Sequence, residues 1–346
     1  MDLARPRVVH RRGLAGRLPV AHREPSAAGR RRSDPSGLAP RARASSLDPP
    51  IRITATFGEY RHGHFHAGVD FSTDRHIGKP VYAPASGDVQ RVQTSGAGFG
   101  NNLMIRTPDG RSILLAHLDA FDEPIASYIS AAQESTGRYE QSLTPERGRL
   151  HVVAGQRVAW SGESGAGPPH LHMEIRYGDL AYNPLRYGLS VPDSTPPLLH
   201  RVTLEPLDDS SSVRGSPAPR TIVLGPSVDT VAVLGRVRAW VAAADRVSTG
   251  WARVAPYAVG LAWEGQQVEC RFDRIAWDDQ MPAAEWVYDG AGRVAFWTPV
   301  ALWFGSDYHP TMPELHGAAR RPACCRSPPV IHRGRSCCTP PTPRGT

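Results

Sequence analysis

Lysine is almost missing from this chain: Lys79 is the one lysine among 40 basic residues, and the rest are arginine. Such dominance reads as coding bias rather than selection for phosphate-binding forks. Cysteine is scarce in the body of the sequence, where Cys270 stands alone. The other four of the five form adjacent pairs, Cys324-Cys325 and Cys337-Cys338, in a Pro/Arg-rich run. A disulfide framework is therefore excluded for the fold, and the pairs lack the C-x-x-C spacing of common metal sites. No apolar run approaches the ~20 residues of a membrane helix, so no transmembrane segment is expected. The first 48 residues also lack the apolar stretch of a secretory signal.

The formal charge of +7 suggests a nucleic-acid partner until its distribution is read. Residues 1–50 carry 11 Arg against 4 acidic residues, and residues 301–346 carry 6 basic against 2 acidic. The middle, 51–300, holds 23 basic and 27 acidic residues, a net −4. Basicity belongs to the tails, which argues against a nucleic-acid binder. Residues 1–48 are rich in Arg, Pro, Ala, Gly and Ser without helical or strand period, and are expected to be disordered. The run 304–346 is assigned the same way, as a disordered tail or the product of a frame change.

Between the tails the pattern is β. Short alternating or β-branched stretches at 51–56, 81–83, 88–92, 103–106, 112–118, 157–161 and 171–177 are divided by turns such as Thr107-Pro108-Asp109-Gly110. They predict a mainly β, antiparallel sheet with a groove over 49–192. A helical insert at 119–150 interrupts it, with Asp122 as N-cap, Pro124 in the first turn and Gly137 closing the end. Ile125, Tyr128, Ile129 and Ala132 would form its apolar face. The insert either walls the groove or packs on the sheet's outer surface, the two being equally expected. A stiff linker, Asp193-Ser194-Thr195-Pro196-Pro197, precedes further strand signals at 200–204, 221–224, 230–234, 236–242, 257–263, 267–275 and 293–297. With a hairpin turn at Glu264-Gly265, these predict a β-sandwich-like domain over 193–303.

Chemistry concentrates in His66-Ala67-Gly68-Val69-Asp70, Ala116-His117-Leu118 and Pro169-His170-Leu171-His172. Catalytic zinc takes three protein ligands from His, Asp or Glu and keeps a position for water. A hydrolase also needs a proton-transfer group nearby, and histidine titrates in the right range. Residues i and i+2 of a strand share a face, so His170, His172 and Glu174 point one way while Leu171, Met173 and Ile175 point into a core. One of the two imidazoles can bind metal while the other works beside it. On 112–118 the same alternation puts His117 on a face with Leu115 and Ile113, at the end of an apolar row. His62, His64, His76 and His151 read as surface or satisfied core residues. The set as a whole reads as a zinc hydrolase.

Over 57–187 the sequence resembles the lysostaphin/LytM-type zinc endopeptidases that cut peptidoglycan peptides. The likeness runs through Phe65-His66-Ala67-Gly68-Val69-Asp70, Gly78-Lys79-Pro80-Val81-Tyr82-Ala83-Pro84, Gly98-Phe99-Gly100-Asn101-Asn102, Leu114-Leu115-Ala116-His117-Leu118, Gly167-Pro168-Pro169-His170-Leu171-His172 and Asn183-Pro184-Leu185. Thr56-Phe57-Gly58-Glu59 before the first motif, and β-rich sequence after the last, resemble a longer envelope subgroup. The resemblance implies one Zn2+ per chain held by His66, Asp70 and His172, with His117 and His170 flanking the water. It implies peptidoglycan peptides as partner and a periplasmic or extracellular location; with no signal in 1–48, a start other than Met1 is the favoured expectation, ahead of non-standard export or none. Two features depart from the pattern: the extra proline before His170 and the length of 119–150. Glu174 is read either as steering a metal ligand or as half of a surface salt bridge. A catalytically silent module that regulates another wall hydrolase is the rival, and the five filled positions speak against it.

Overall fold

The computed structural model describes residues 46–61, 63–189, 191–225, 230–247, 251–263, 266–277, 284–288, 300–302 and 315–316. In chain order, β1 (Ile53–Ala55) is followed by a small hairpin, β2 (Tyr60–Arg61) and β3 (His64–Phe65), then β4 (Val69–Ser72) and β5 (Pro80–Tyr82). The long strands β6 (Gly87–Thr94), β7 (Asn101–Arg106) and β8 (Ser112–Phe121) form a meander. Helix α1 (Ile125–Thr136) comes next, then β9 (Gln141–Leu143), β10 (His151–Val152), β11 (Arg157–Ser161), β12 (His170–Tyr177) and β13 (Leu180–Tyr182). The main sheet runs β1-β4-β12-β8-β7-β6-β10, with every neighbouring pair antiparallel. The protein is mainly β and antiparallel, as the sequence predicts.

One face of this sheet is the core. Leu171, Met173 and Ile175 of β12 pack there with Val69, Phe71, Leu103, Ile105, Ile113 and Leu115, all almost free of solvent. Burying side chains of this size is worth about 1.5–3 kcal/mol each. That sum sets the register of β12 and carries its even-numbered residues to the opposite face. Helix α1 adds Ile125 and Ile129 to the same core. It therefore covers the face away from the histidines and does not wall their groove. Gly137 closes the helix in the left-handed conformation at φ 64°, as expected from the sequence. Asp122 does not cap its start. Pro124 occupies that position without a side-chain bond, and Asp122 instead accepts a hydrogen bond from Arg157 Nε at 2.6 Å.

The second half holds β14 (Leu198–Pro206), β15 (Ser212–Val213), β16 (Arg220–Val223), β17 (Val233–Leu234), β18 (Val237–Ala244), β19 (Ala258–Trp263), β20 (Gln266–Arg271), β21 (Arg274–Ala276), α2 (Ala284–Val287), β22 (Val300–Leu302) and β23 (Leu315–His316). Strands β16-β14-β18-β22 make one sheet and β19-β20-β23 another. Strand β21 leaves them to pair with β13, which extends the main sheet across the 192/193 division. Phe272 and Tyr288 pack against Phe57 and Phe65, so the two halves share a core.

Two tail boundaries shift. Ser46 and Leu47, within the run assigned to the N-terminal tail, are buried, and Ser46 accepts a backbone bond from Tyr82 N at 2.9 Å. Residues 315–316, within the run assigned to the C-terminal tail, pair with β20. The strand expected at 293–297, the turn at Glu264-Gly265 and His62 lie outside the described residues.

Candidate metal centre

Strands β4 and β12 are paired so that Asp70 stands directly across from His172, and His170 across from Ser72. Opposed residues of an antiparallel pair share a face, which puts Asp70, His170 and His172 together on the side away from the core. His66 joins them from the link between β3 and β4. Gly68 makes this approach possible. A Cβ there would stand 2.3 Å from the Met173 carbonyl oxygen and 2.8 Å from the His172 ring. Any larger residue would hold apart the two segments that carry His66 and His172.

Three atoms converge. His66 Nε2 lies 3.1 Å from Asp70 Oδ1 and 3.1 Å from His172 Nδ1, and the latter two are 2.8 Å apart. Among the described residues this is the one group of three or more His, Cys, Asp or Glu side chains whose ligand atoms lie within 4.8 Å of one another. Each imidazole is fixed by its other nitrogen. His66 Nδ1 donates to the Thr56 carbonyl at 2.8 Å, and His172 Nε2 donates to Glu174 Oε1 at 2.9 Å. Those donations leave lone pairs on His66 Nε2 and His172 Nδ1, both aimed at each other and at a carboxylate oxygen. Three acceptors facing inward require a cation or a shared proton between them, and the donor set suits a divalent ion.

Electrostatics show the pull of this pocket on positive charge, a proton on His172 included. Burial disfavours charge on both Asp70 and His172. The neighbouring His66 and His172 nevertheless hold the Asp70 carboxyl well below the usual range. Hydrogen bonds to Asp70 and Glu174 outweigh burial at His172 and push its pKa up to about 9. Glu174, almost completely buried, stays ionised through His172 and Arg176. It holds the His172 imidazole with Oε1 and pairs with Arg176 through Oε2, and since it is buried this is not the surface salt bridge of the alternative reading.

His117 and His170 stand beside this triad, their rings 4.4 Å apart. His170 Nδ1 donates to the Pro168 carbonyl at 2.7 Å, and its Nε2 lies 3.8 Å from Asp70 Oδ1. His117 Nδ1 donates to the Ser164 carbonyl at 2.9 Å. Each ring thus keeps Nε2 as its basic nitrogen. Burial, then the neighbouring His170, lowers the His117 pKa to about 4, so this imidazole is neutral at physiological pH.

The position of His117 corrects the sequence reading. Simple alternation gives it the apolar face of Leu115 and Ile113, but β8 is irregular here: Leu118 pairs with Asn101 and Leu115 with Leu103. Two residues of β8, Ala116 and His117, therefore oppose Asn102 alone, a β-bulge. His117 takes φ 61°, a left-handed conformation rare outside glycine. The bulge turns the ring towards His170 and His172 and returns Leu118 to the core. Of the four histidines read as bystanders, His64 is exposed on β3 and His151 pairs with Asp88 at 2.9 Å on the surface. Sequence reasoning missed the carbonyl partners at Thr56, Ser164 and Pro168, because any residue type supplies a carbonyl.

Three inward-facing acceptors on an antiparallel sheet, with two further imidazoles beside them, form an arrangement that could hold a divalent ion. Residues 64–134 match the model of Peptidase family M23. The matched residues include His66, Asp70 and His117, and His170 and His172 follow beyond them. The chain is 33% identical over 149 residues to an uncharacterized metalloprotease of Haemophilus influenzae, covering 43% of this chain and 26% of that one. It is 31% identical over 158 residues to the DD-carboxypeptidase/endopeptidase Mpg of Neisseria meningitidis, covering 43% and 30%. It is 29% identical over 136 residues to the murein hydrolase activator NlpD of Escherichia coli, covering 39% and 29%. The match thus spans between about a quarter and a third of each of these relatives. No helix among the described residues is long and apolar enough to cross a membrane.

Proposed function

We propose that this protein is a zinc-dependent endopeptidase that hydrolyses amide bonds in the stem or cross-bridge peptides of peptidoglycan. The observation that carries the reading is the inward convergence of His66 Nε2, Asp70 Oδ1 and His172 Nδ1, with the basic nitrogens of His117 and His170 left over. His66, Asp70 and His172 hold the ion. When bound, zinc supplies Lewis acidity to a carbonyl oxygen and a water. His117 and His170 do the proton work: a neutral imidazole with its Nδ1–H tied to a carbonyl accepts a proton at Nε2 and returns it to the leaving amine. Both tethers fix ring orientation, so neither imidazole needs to reorganise between the two transfers. Asp70 is committed to the ion and Glu174 to His172. That leaves the site without the two free, suitably spaced carboxylates that glycosidic cleavage ordinarily uses. An amide in the wall peptide is therefore the fitting bond, and the bacterial envelope the fitting place.

A second reading follows the likeness to NlpD, a murein hydrolase activator: a module that regulates another wall enzyme without cutting. The presence of all five side chains favours hydrolysis. Digestion of purified sacculi by this chain alone, with and without chelator, separates the two. Chelator-sensitive release of peptides with new amino termini is expected. Zinc-loaded protein that releases nothing, yet stimulates a partner hydrolase, would favour the activator. New reducing sugar ends without new amino termini would reject the amide assignment.

A further inference from the structure

The hairpin that delivers His66 is fastened from outside its own sheet by one carboxylate. Glu59 Oε1 accepts hydrogen bonds from Thr56 N at 2.9 Å and from Ala255 N at 3.1 Å, a residue 196 positions away. Thr56 Oγ1 returns the tie by donating to the Ala255 carbonyl at 2.9 Å. Ala255 is itself held, because its neighbour Val254 forms a two-bond bridge with Asp245, next to the end of β18. The other oxygen, Glu59 Oε2, accepts from Arg61 Nη1 at 3.1 Å, and Arg61 Nη2 reaches Asp70 Oδ2 at 3.5 Å. That is the Asp70 oxygen turned away from His66 and His172. The Glu59 backbone contributes as well, its carbonyl accepting from His66 N at 2.7 Å.

We propose that Glu59 is a positioning residue for the metal centre, holding two of its three ligand side chains and tying them to the C-terminal β-rich half. One arm runs through Thr56, whose carbonyl accepts the His66 Nδ1 proton and so keeps Nε2 free to ligate. The other runs through Arg61, which holds Asp70 by one oxygen and leaves Oδ1 to the ion. The inference rests on the metal reading of the site, and not on hydrolysis. Partners of this kind fix ligand orientation, and losing one costs about 10–100-fold in metal affinity. The side chain of Glu59 is only 16% exposed and that of Arg61 34%, so the Thr56 arm is the better shielded from competing water.

The arms can be cut separately. Glu59→Gln keeps an acceptor for the Thr56 and Ala255 amides but presents an NH2 group to Arg61. Arg61→Ala removes only the Asp70 arm. Glu59→Ala removes both. The affinity of the metal-free full chain for zinc is measured by competition with a chromophoric chelator, beside the melting temperature of the metal-free protein. Glu59→Ala is expected to bind zinc about 10–100-fold more weakly. Glu59→Gln and Arg61→Ala should fall between it and the parent while melting, metal-free, with the parent. Wild-type affinity in Glu59→Ala overturns the proposal. Should that variant fail to fold, wild-type affinity in both Glu59→Gln and Arg61→Ala overturns it equally. A parent chain that takes up no zinc overturns the metal reading beneath it, a different result from unaltered variants of a parent that binds.

Discussion

Leu115 and His117 stand two residues apart on one strand, yet their side chains lie on opposite faces of the sheet. Leu115 is in the core, and the His117 ring is 4.4 Å from that of His170. The bulge that separates them forces His117 to φ 61°. For a residue with a Cβ this conformation costs roughly 1–2 kcal/mol. Replacing His117 by glycine or by alanine removes the imidazole equally, but only glycine relieves the backbone. His117→Gly should therefore be more stable than His117→Ala by about 1 kcal/mol. Denaturant unfolding of the two variants checks this, and equal midpoints would show that the bulge is unstrained.

The ligand and proton-transfer assignments separate by what each variant loses. His172→Ala is expected to lose stoichiometric zinc and hydrolysis together. His117→Ala and His170→Ala should keep the metal and lower kcat by about 10²–10⁴. Metal analysis beside sacculus digestion reads both. Zinc retained by His172→Ala, or lost from either of the others, would reverse the roles.

Gly68→Ala tests the close approach beneath the site. The added Cβ would meet the Met173 carbonyl at 2.3 Å, a backbone atom inside the sheet that cannot swing aside. Separation of β4 from β12 should follow, with zinc affinity falling along with thermal stability. A variant with unchanged zinc affinity would show that the His66–Asp70 turn can reach the site by another path.

Alkaline pH should destabilise the protein through Cys270. Burial, then the Glu269 charge, pushes this thiol up to about 12, against an unfolded value near ~8.5. Between those values the unfolded chain has released a proton that the folded chain keeps. Stability from this group is thus whole below about pH 8.5 and drains as pH rises towards 12. Cys270→Ala should flatten that part of the pH–stability curve, measured by denaturant unfolding across the alkaline range. Parallel curves for parent and variant would rule out the thiol as the cause.

What the sequence determined by itself is what has a local cause. The two-residue period of 170–175 was enough to set His170, His172 and Glu174 against Leu171, Met173 and Ile175, because pleating acts on neighbours. Gly137 announced the end of α1 for the same reason, since the left-handed turn belongs to that residue. Tertiary structure decided what depends on a distant partner. His117 changes face because β8 holds one residue more than β7 opposite Asn102, a register that neither strand states alone. Asp122 ends up two residues ahead of the cap position, which Pro124 takes, and its carboxylate meets Arg157, 35 residues on, a partner only the fold supplies. His66 and Asp70 carry ligand chemistry in their side chains, but their shared point with His172 exists only once β4 pairs with β12. The tie from Glu59 to Ala255 was the least legible of all, for a backbone N–H has no signature in sequence and is found only where the fold brings it.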